Sequence, residues 1–324
     1  MSPRRHRGML LLFVCWVLLA GCTAQNPTPT GGSQPADTSA RTMLGDIRTL
    51  DPCTLTDPAA LQRYAAVSDA GTVSLDYCLL HLKPDDHTLI QLAVGELAGP
   101  EAIDPGEPVV QHGVLRIAQS APAPGHCTRR VQFGDGVSLQ VSADLLNGDP
   151  AAGLCGIADT GAKAAADAVQ QGRAGHRDYP SNSLALLDPC TVLDTEAVNQ
   201  VPGLEEARPR PGIAGHQCAW GEPSADAPRV QLQHTAGEPP KLLHGAAVEE
   251  PVDGRRTVLS VVGGDPQVPL CSAETAHIPF GAVAGQVEVA QLVVALPGMT
   301  GTDACDYARG LARLAWPSLP PANP

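Results

Sequence analysis

The sequence predicts an α+β protein made of two tandem repeats, each an antiparallel sheet covered by helices and stapled by two disulfides. Three observations lead to this fold class: an internal repeat, eight cysteines that recur in the same order and at similar spacings in both copies, and short strand segments that lie between helical ones. With 324 residues, the chain is long enough for two domains, each with its own core.

The internal repeat has an offset of 137 residues, which is the length of a whole domain. The segment 50–61 aligns without a gap on 187–198, and seven of the twelve positions are identical. The cysteines follow with successive spacings of 25, 49 and 28 residues in the first copy and 28, 53 and 34 in the second. Because both the opening motif and the cysteines recur in order, we expect two copies of one domain.

Each copy shows the same order of helix and strand signals. Asp57 and Pro58 provide an N-cap acid and a first-turn proline, so a short helix is expected just after the first cysteine. Between this helix and a closing helix we expect strands at 78–82, 88–94 and 109–118, and a hairpin over 128–141 that turns at Gly134-Asp135-Gly136. Apolar residues at helical spacing mark the closing helices, at Ile157, Ala158, Ala162, Ala165 and Val169 and at Ala308, Leu311, Ala312 and Ala315.

The N-terminus has the pattern of a lipoprotein signal peptide. Three arginines precede an apolar run, Met9 to Leu19, that is too short to span a bilayer comfortably. The run ends in Leu-Ala-Gly-Cys, the lipobox pattern in which the thiol receives a diacylglycerol and a peptidase cuts before the cysteine. We therefore expect Cys22 to be the lipidated first residue of the mature protein. An ordinary signal peptide with an incidental cysteine is the alternative.

These patterns divide the chain into six segments. A tether of Thr, Asn, Pro, Gly, Ser and Gln follows Cys22 and has few apolar residues to bury, so disorder is expected there. A second stretch rich in Gly, Arg, Pro and Ser separates the copies. The predicted segments are a signal peptide at 1–21, a tether at 22–43, a first repeat at 44–170, a linker at 171–183, a second repeat at 184–317 and a tail at 318–324.

An even number of cysteines in an exported chain indicates disulfides, because the extracytoplasmic space is oxidising. Four cysteines per repeat allow three connectivities, and we favour the one that joins neighbours, since it ties a helix start to a strand. A metal site or a redox pair is the alternative, but the sequence contains neither a C-x-x-C nor an H-E-x-x-H pattern. The favoured pairs are Cys53 with Cys78, Cys127 with Cys155, Cys190 with Cys218, and Cys271 with Cys305.

Composition argues against a nucleic-acid partner. After removal of the three signal arginines, 18 of the 21 basic residues remain against 34 acidic residues, which gives a formal charge of −16. A balance this acidic repels phosphate backbones and anionic headgroups. Eight aromatic residues remain after the signal, so stacked platforms for sugars are not indicated either.

Candidate catalytic residues do not stand out. The sequence lacks G-x-S-x-G, and its glycine pairs are interpreted as turns, so we expect no enzyme, no cofactor and no metal ligand. The pairs Arg129-Arg130 and Arg255-Arg256 are interpreted as solvated strand ends, and Trp220 as core packing on the Cys190–Cys218 bridge. Single histidines are interpreted as surface or hydrogen-bonded strand residues, namely His81, His112, His126, His216, His234 and His277.

Several of these motifs together resemble a known family. The two Asp-Pro-Cys-Thr openings, the later Cys218-Ala219-Trp220 and the lipobox at Cys22 are similar to those of actinobacterial lipoproteins that are grouped as a domain of unknown function. The first copy departs from the Cys-x-Trp signature, since it has Leu80 in place of the tryptophan. Similar α+β modules with paired disulfides form the extracellular sensor part of some actinobacterial serine/threonine kinases. The resemblance implies a location and a fold, and no established activity.

The leading hypothesis is a non-catalytic binding or sensor-like module, held by its lipid on the extracytoplasmic side of the cell membrane. Its partners would be the membrane, through the anchor, and an envelope protein or a small ligand. An envelope hydrolase with a site that the sequence does not reveal is one alternative, and a structural lipoprotein that tethers a protein complex is another. Domain junctions favour concave sites, so the cleft between the repeats is the first place to look for a ligand.

Overall fold

Two seven-stranded antiparallel sheets, one in each repeat, form the framework of the protein. The computed structural model describes residues 37–72, 74–148, 153–224, 226–242, 247–262, 267–281 and 284–322. Contacts join these residues into one compact unit, Asp37–Pro324. The predicted fold class, α+β with two disulfide-stapled sheets, is confirmed.

Among its described residues, the first repeat contains three α-helices, one two-stranded pair and the first large sheet. Its helices are α1 (Ala40–Leu44), α2 (Pro58–Leu61) and α3 (Leu154–Gln170). Its strands are β1 (Leu50–Asp51), β2 (Ala66–Thr72), β3 (Cys78–Lys83), β4 (Leu89–Ala98), β5 (Val109–His112), β6 (Leu115–Gln119), β7 (His126–Gln132), β8 (Ser138–Asn147) and β9 (Gly175–His176). Strands β1 and β9 pair with each other, so the chain after α3 returns to the start of the repeat.

The second repeat follows the same plan. Its helices are α4 (Pro189–Val192), α5 (Thr195–Val198) and α6 (Gly301–Ala315). Its strands are β10 (Arg210–Pro211), β11 (Gln217–Gly221), β12 (Arg229–Gly237), β13 (Ala247–Val252), β14 (Arg255–Val262), β15 (Leu270–Pro279) and β16 (Val287–Ala295).

Both large sheets have one topology. The first has the strand order β2-β3-β4-β8-β7-β6-β5, and the second has β10-β11-β12-β16-β15-β14-β13. Each sheet is therefore a three-stranded meander and a four-stranded meander that join through their long central strands, β4 with β8 and β12 with β16. Within each meander, strands that follow one another in sequence pair, which is the arrangement that short connections favour.

The strand register fixes which residues of the two repeats correspond. In the first sheet, one row across β3, β4, β8 and β7 consists of Leu80, Leu92, Ala143 and Cys127. In the second sheet, the row across β11, β12, β16 and β15 consists of Trp220, Val230, Val294 and Cys271. Since Cys127 and Cys271 are equivalent cysteines, Leu80 occupies the place of Trp220.

Each sheet is covered on one face by its closing helix. The positions predicted for the apolar face of α3 and α6 are all buried, from Ile157 to Val169 and from Ala308 to Ala315. Helix α3 approaches the sheet closely at Gly161, where a Cβ atom would lie 3.0 Å from methyl groups of Leu92 and Val141. The opposite face of each sheet, which we call the outer face, carries polar side chains.

The Asp-Pro-Cys-Thr motif forms a capped turn at the start of each repeat. The side chain of Asp51 accepts from the backbone N–H of Cys53 at 3.1 Å, and Asp188 accepts from Cys190 at 2.9 Å. The threonine hydroxyl that follows donates to the aspartate carbonyl in both copies, at 2.7 and 2.8 Å. Proline then occupies the first turn, where its missing N–H costs nothing. The motif is therefore explained by local folding.

The disulfides have the connectivity that the sequence favoured. The pairs are Cys53–Cys78, Cys127–Cys155, Cys190–Cys218 and Cys271–Cys305. In each repeat the first bridge ties the capped turn to the sheet, and the second ties the sheet to the closing helix. Each bridge removes chain entropy from the unfolded state by closing a loop of 25 to 34 residues.

Several elements differ from the prediction. The strand expected over 109–118 is a hairpin, because the chain turns at Gly113, whose φ of +61° suits glycine. Strand β2 was not predicted, since 66–72 is a polar and alanine-rich segment at the sheet edge. The folded chain begins earlier than residue 44, because Ala40 and Leu44 of α1 lie in the first core.

Two expectations concern the membrane. The lipidation site predicted at Cys22 lies outside the described residues, as does the signal peptide. No helix in the described part of the chain has both the length and the apolar composition that a membrane crossing requires.

Candidate functional site

The two repeats meet where the loop between β2 and β3 contacts the turn between β10 and β11. Asp76 of this loop lies 2.7 Å from Nδ1 of His216, and the two side chains are 14% and 1% exposed. The pair joins residues 140 positions apart, so no local pattern could predict it. In the neutral ring, Nδ1 carries the proton, because the Asp76 carboxylate accepts from it.

Apolar and cationic contacts surround this pair. Leu75 packs in a small buried cluster with Ala185, Ala236 and Phe280 of the second repeat. The guanidinium of Arg177 lies over the Phe280 ring, 4.9 Å from its centroid. These contacts make the junction a packed interface with its own small core.

A buried carboxylate holds the segment that enters the second repeat. Glu288 of β16 accepts from the Ser183 hydroxyl at 2.5 Å and from the backbone N–H of Leu184 at 2.7 Å. Burial raises the pKa of Glu288, and these two donors, followed by His216, act in the opposite direction. The carboxylate therefore fixes the linker at a definite place on the second sheet.

Buried histidines hold the same segment. Nδ1 of His234 lies 3.0 and 3.2 Å from the carbonyl oxygens of Leu184 and Leu187, so this nitrogen carries the donated proton. Burial lowers the pKa of His234 to about 4. His277 donates through Nε2 to the Asn182 carbonyl at 2.6 Å, and burial lowers its pKa as well. Both rings are therefore neutral in the folded protein at neutral pH.

The histidines thus differ from the sequence interpretation in one respect. All three of His216, His234 and His277 are buried, and His216 lies in the turn between β10 and β11, whereas a surface or hydrogen-bonded strand position was expected for it. His234 and His277 do lie on strands and are hydrogen-bonded, as proposed. Their clustering was missed because they come from segments that are distant in sequence.

A cavity of about 290 Å³ opens at the junction, next to the Asp76–His216 pair. The first repeat supplies Asp76, Tyr77, Glu96 and Leu97 to its wall, and the second supplies the turn 212–214, His216 and three glutamines, Gln217, Gln231 and Gln233. This volume is at the lower end of the range for small-molecule sites. The cavity lies in the cleft between the repeats, the location that the sequence favoured.

The cavity wall combines a carboxylate, a phenol and amides. Glu96 is an exposed residue of the cavity wall, and partial loss of solvent around its carboxylate, followed by the charge of Asp76, raises its pKa. Burial also raises the pKa of Tyr77, with smaller contributions from Glu96 and Asp76. The Gln231 amide donates to Gln233 Oε1 at 3.1 Å, which orients both side chains. The site can therefore offer hydrogen bonds and negative charge to a ligand.

A second, shallower depression continues along the outer face of the first sheet. It shares Tyr77 and Glu96 with the junction cavity and extends past Ser142 to Asp144. There Nδ1 of His126 lies 2.5 Å from the Asp144 carboxylate, and Nε2 lies 2.6 Å from the Thr128 hydroxyl. A carboxylate, an imidazole and a hydroxyl in this order form the contact pattern of a hydrolase triad.

Two features weigh against nucleophilic catalysis at Thr128. Its side chain is only 5% exposed, and its strand neighbours on both sides are engaged in sheet pairing, so their amides are not free to bind an oxyanion. The second sheet has Leu270, Ser272 and Ala295 at the equivalent positions. The three groups therefore form a hydrogen-bonded row that belongs to the first repeat alone.

The sequence interpreted both arginine pairs as solvated strand ends, and this is wrong for Arg129 and Arg130, which lie inside β7. Arg129 is buried and binds Asp159 of α3 at 2.5 Å, while Arg130 lies on the other face and contacts Ser120 and Glu107. The second pair does open a strand, β14, and Arg256 is exposed and pairs with Glu249, while the half-buried Arg255 donates to the carbonyls of Leu319 and Pro320. The opposite directions of adjacent side chains were predicted correctly, but their partners were not.

Trp220 lies in the core, as interpreted. It is fully buried in the cluster that includes the Cys190–Cys218 bridge, and its Nε1 donates to the Thr195 hydroxyl at 3.1 Å. Trp316 is also buried, and it donates to Thr257 at 3.0 Å. Neither indole reaches the junction cavity.

The cysteines have no place in the cavity wall. In the described residues, Cys53, Asp69 and Cys78 form a group of three potential metal ligands whose atoms lie within 4.8 Å of one another. Both of these sulfurs belong to one disulfide and cannot bind a metal as thiolates. The cavity residues that sequence reasoning missed are Tyr77, Glu96, Gln217, Gln231 and Gln233, which belong to no motif.

Comparison with known proteins identifies a family and little more. No curated protein matches the chain. One solved structure, the di-domain ARO/CYC BexL from the BE-7585A biosynthetic pathway, matches 78% of this chain and 88% of its own at 9% identity, but its TM-score of 0.14 carries no structural argument. The family model described as "Protein of unknown function (DUF3558)" matches residues 155–318, from the start of α3 to the end of the second repeat. As this is half of the sequence, the chain belongs to the DUF3558 family of proteins of unknown function.

Proposed function

We propose that the protein is an extracytoplasmic lipoprotein that binds a small polar ligand in the junction cavity and performs no catalysis. The observation that carries the proposal is the cavity itself, whose wall combines side chains from both repeats at a packed interface. A ligand that contacts Tyr77 and Glu96 on one side and Gln231 on the other would couple the repeats, which is what a sensor requires.

The composition of the cavity wall supports binding over catalysis. Tyr77, Glu96 and the three glutamines provide hydrogen-bonding groups with fixed positions, and a few apolar contacts come from Leu97 and Ile213. A small number of convergent polar groups beside apolar surface is typical of ligand pockets.

The test of binding uses a variant that fills the cavity. Ala214 lies in the wall, so Ala214→Phe removes space, while Ala121→Phe adds the same ring at an exposed loop outside the cavity. We expect the purified protein to retain a small molecule from an envelope extract, in saturable one-to-one binding detected by native mass spectrometry. The Ala214→Phe protein should lose it and the Ala121→Phe protein should keep it. Equal retention by both variants, or retention by neither protein nor variant, contradicts the proposal.

Four disulfides and the lipobox pattern support the location of the protein, on the membrane through the lipid on Cys22. We expect Cys22→Ala to abolish incorporation of a palmitate analogue and membrane fractionation, because firm anchoring needs two or more acyl chains. Replacing Cys15, which lies within the predicted signal peptide, by alanine is the control and should change neither readout. Labelling that survives in the Cys22→Ala protein would remove the lipoprotein proposal.

A hydrolase is the second candidate, and the Thr128–His126–Asp144 row is the observation that favours it. If this row were catalytic, turnover of generic ester or peptide substrates would fall by orders of magnitude in Thr128→Val and in His126→Gln alike. We expect no turnover above that of the double variant. Activity that survives stringent purification and disappears with either change would favour the hydrolase over the binding module.

A further inference from the structure

We infer that the ligand of the junction cavity is a small organic cation with an aliphatic portion, such as an amine or a guanidinium compound, and that Glu96 is its ion-pair partner. The inference rests on the proposed function and adds the chemical class of the ligand. It is argued below from the charges, the hydrogen-bond partners and the apolar groups of the wall.

The charge in the cavity wall is negative and only partly compensated. Two carboxylates, Asp76 and Glu96, line the described cavity, and no lysine or arginine does. Asp76 is bound to His216, whereas Glu96 has a single described hydrogen bond, through Oε2 to the Gln140 amide at 3.3 Å. The other oxygen of Glu96 is therefore available to a ligand.

The charge of Arg130 does not neutralise Glu96. Arg130 lowers the pKa of Glu96, but this effect is smaller than the opposing effects of burial and of Asp76, so the net shift is upward. The Arg130 guanidinium is bound to the Ser120 hydroxyl at 2.7 Å and lies 3.5 Å from Glu107. A carboxylate that is held among protein atoms and repelled by a neighbour gains from an added cation.

The remaining wall suits the rest of such a ligand. Leu97, Ile213 and Ala214 provide apolar contacts for methylene groups. Amide oxygens of the glutamines accept hydrogen bonds from N–H groups, and the Tyr77 oxygen can do the same. An anion would face two carboxylates, and a neutral polar molecule would leave Glu96 without compensation.

The second sheet supplies a matched control for Glu96. Glu274 also lies on an outer face and accepts from a glutamine amide, Gln291, at 2.9 Å, and Gln291 occupies the position that Gln140 has in the first sheet. Glu274 does not line the cavity. Glu96→Gln and Glu274→Gln therefore each remove one carboxylate that accepts from a glutamine amide, with and without contact to the site.

The experiment compares three probes of one chain length on the purified whole chain: 1,5-diaminopentane, 1,5-pentanediol and glutarate. We expect the diamine to bind at least tenfold more tightly than the diol, with shifts of the NMR signals of Ala214 and Gln231, and glutarate not to bind. Glu96→Gln should weaken diamine binding by about tenfold, because a charge-assisted hydrogen bond is lost, and Glu274→Gln should not. Added salt should weaken binding of the diamine and leave that of the diol unchanged.

The outcomes separate the two proposals. If the diol or glutarate binds as well as the diamine and Ala214→Phe abolishes it, the cavity is a binding site and the cationic class is wrong. If the diamine binds equally to the Glu96→Gln protein, or does not bind, the inference fails as well. Failure of the binding proposal has its own signature, since Ala214→Phe then leaves the capture of extract components unchanged.

Discussion

The two repeats share their framework and differ in what they place on it. Strand order, bridge positions, capped turns and closing helices are the same, whereas the outer faces have diverged. Opposite the equivalent glutamines Gln140 and Gln291 lie Arg130 in the first sheet and Glu274 in the second. The row of Thr128, His126 and Asp144 has no counterpart in the second sheet. Conserved features are thus explained by folding, and the candidate site is built from the features that differ.

Histidine burial shows the same division. Among the described residues, the histidines of the first repeat are exposed or half-buried, whereas His216, His234 and His277 of the second repeat are buried. These three lie around the linker and the junction. The second repeat therefore supplies the buried histidines that hold the linker and the junction between the two sheets.

We expect the largest loss of stability when a bridge to a closing helix is removed. This change also tests whether the two repeats depend equally on their bridges for stability. Cys127→Ala/Cys155→Ala and Cys271→Ala/Cys305→Ala open loops of 28 and 34 residues, so each should lower the free energy of unfolding by about 3 to 4 kcal/mol. Trp220 and Trp316 both lie in the second repeat, so tryptophan fluorescence follows that repeat while circular dichroism follows both.

The two readouts sharpen the comparison. In urea, loss of the first bridge should shift the circular dichroism transition more than the fluorescence transition, and loss of the second should shift both. Identical shifts of both signals in both variants would show that the repeats unfold as one unit, contrary to the separate cores seen here.

The next effect concerns acid stability and is assigned to the second repeat. Because the folded state holds the pKa of His234 at about 4, below its ordinary value of 6.5, the unfolded chain takes up a proton first as the pH falls. Stability is therefore lost between pH 6.5 and 4, by on the order of 3 kcal/mol. The raised pKa of Glu288 has the opposite sign, since protonation of this carboxyl favours the folded state.

The substitution His234→Gln separates the contribution of His234 to acid stability from that of Glu288. His234→Gln keeps a donor for the linker carbonyls but does not titrate, so the fall in the urea midpoint between pH 6.5 and 4 should become much shallower by fluorescence. His87→Gln, at an exposed position of the first repeat, is the control and should retain the wild-type slope. An unchanged slope in the His234→Gln protein would mean that another group causes the acid sensitivity.

The smallest effect compares the two capped turns. Asp51→Ala and Asp188→Ala each remove an N-cap, which costs about 1 kcal/mol. Asp51 also accepts from Arg177 at 2.9 Å, a half-buried contact that Asp188 lacks in the described structure, so Asp51→Ala should cost a few tenths of a kcal/mol more. Chemical denaturation of both proteins measures the difference, and a larger loss for Asp188→Ala would reverse the proposed ranking.

Sequence reasoning succeeded where the physical cause is local or periodic. The short helix α2 follows from Asp57 and Pro58, the closing helices from apolar spacing, and the bridges from neighbouring cysteines. The hairpin at Gly113 was missed because the valines on both sides of the turn form a pattern that predicts one continuous strand. The partners of Arg129 and Arg130 were missed because they lie on a helix and loops far along the chain.

The sequence predicted where the candidate site lies, but not which residues form it. Two repeats predict a cleft, yet Tyr77 and Glu96 are ordinary residues at the end of a loop and of a strand, and the glutamines alternate like any half-exposed strand. Their proximity depends on how Asp76 meets His216 across 140 residues. Such contacts depend on tertiary packing, and a single sequence without motifs contains no direct signal for them.

The order of the disulfides has a consequence for how the chain matures. Every bridge joins a cysteine to the next cysteine along the sequence, at separations of 25, 28, 28 and 34 residues. A chain that emerges N-terminus first presents each cysteine to its native partner before any later cysteine has appeared. If Cys22 carries its lipid as proposed, an oxidant that joins the remaining thiols in order of emergence, from Cys53 onward, produces the four bridges of the structure, and no isomerase is needed to reshuffle them.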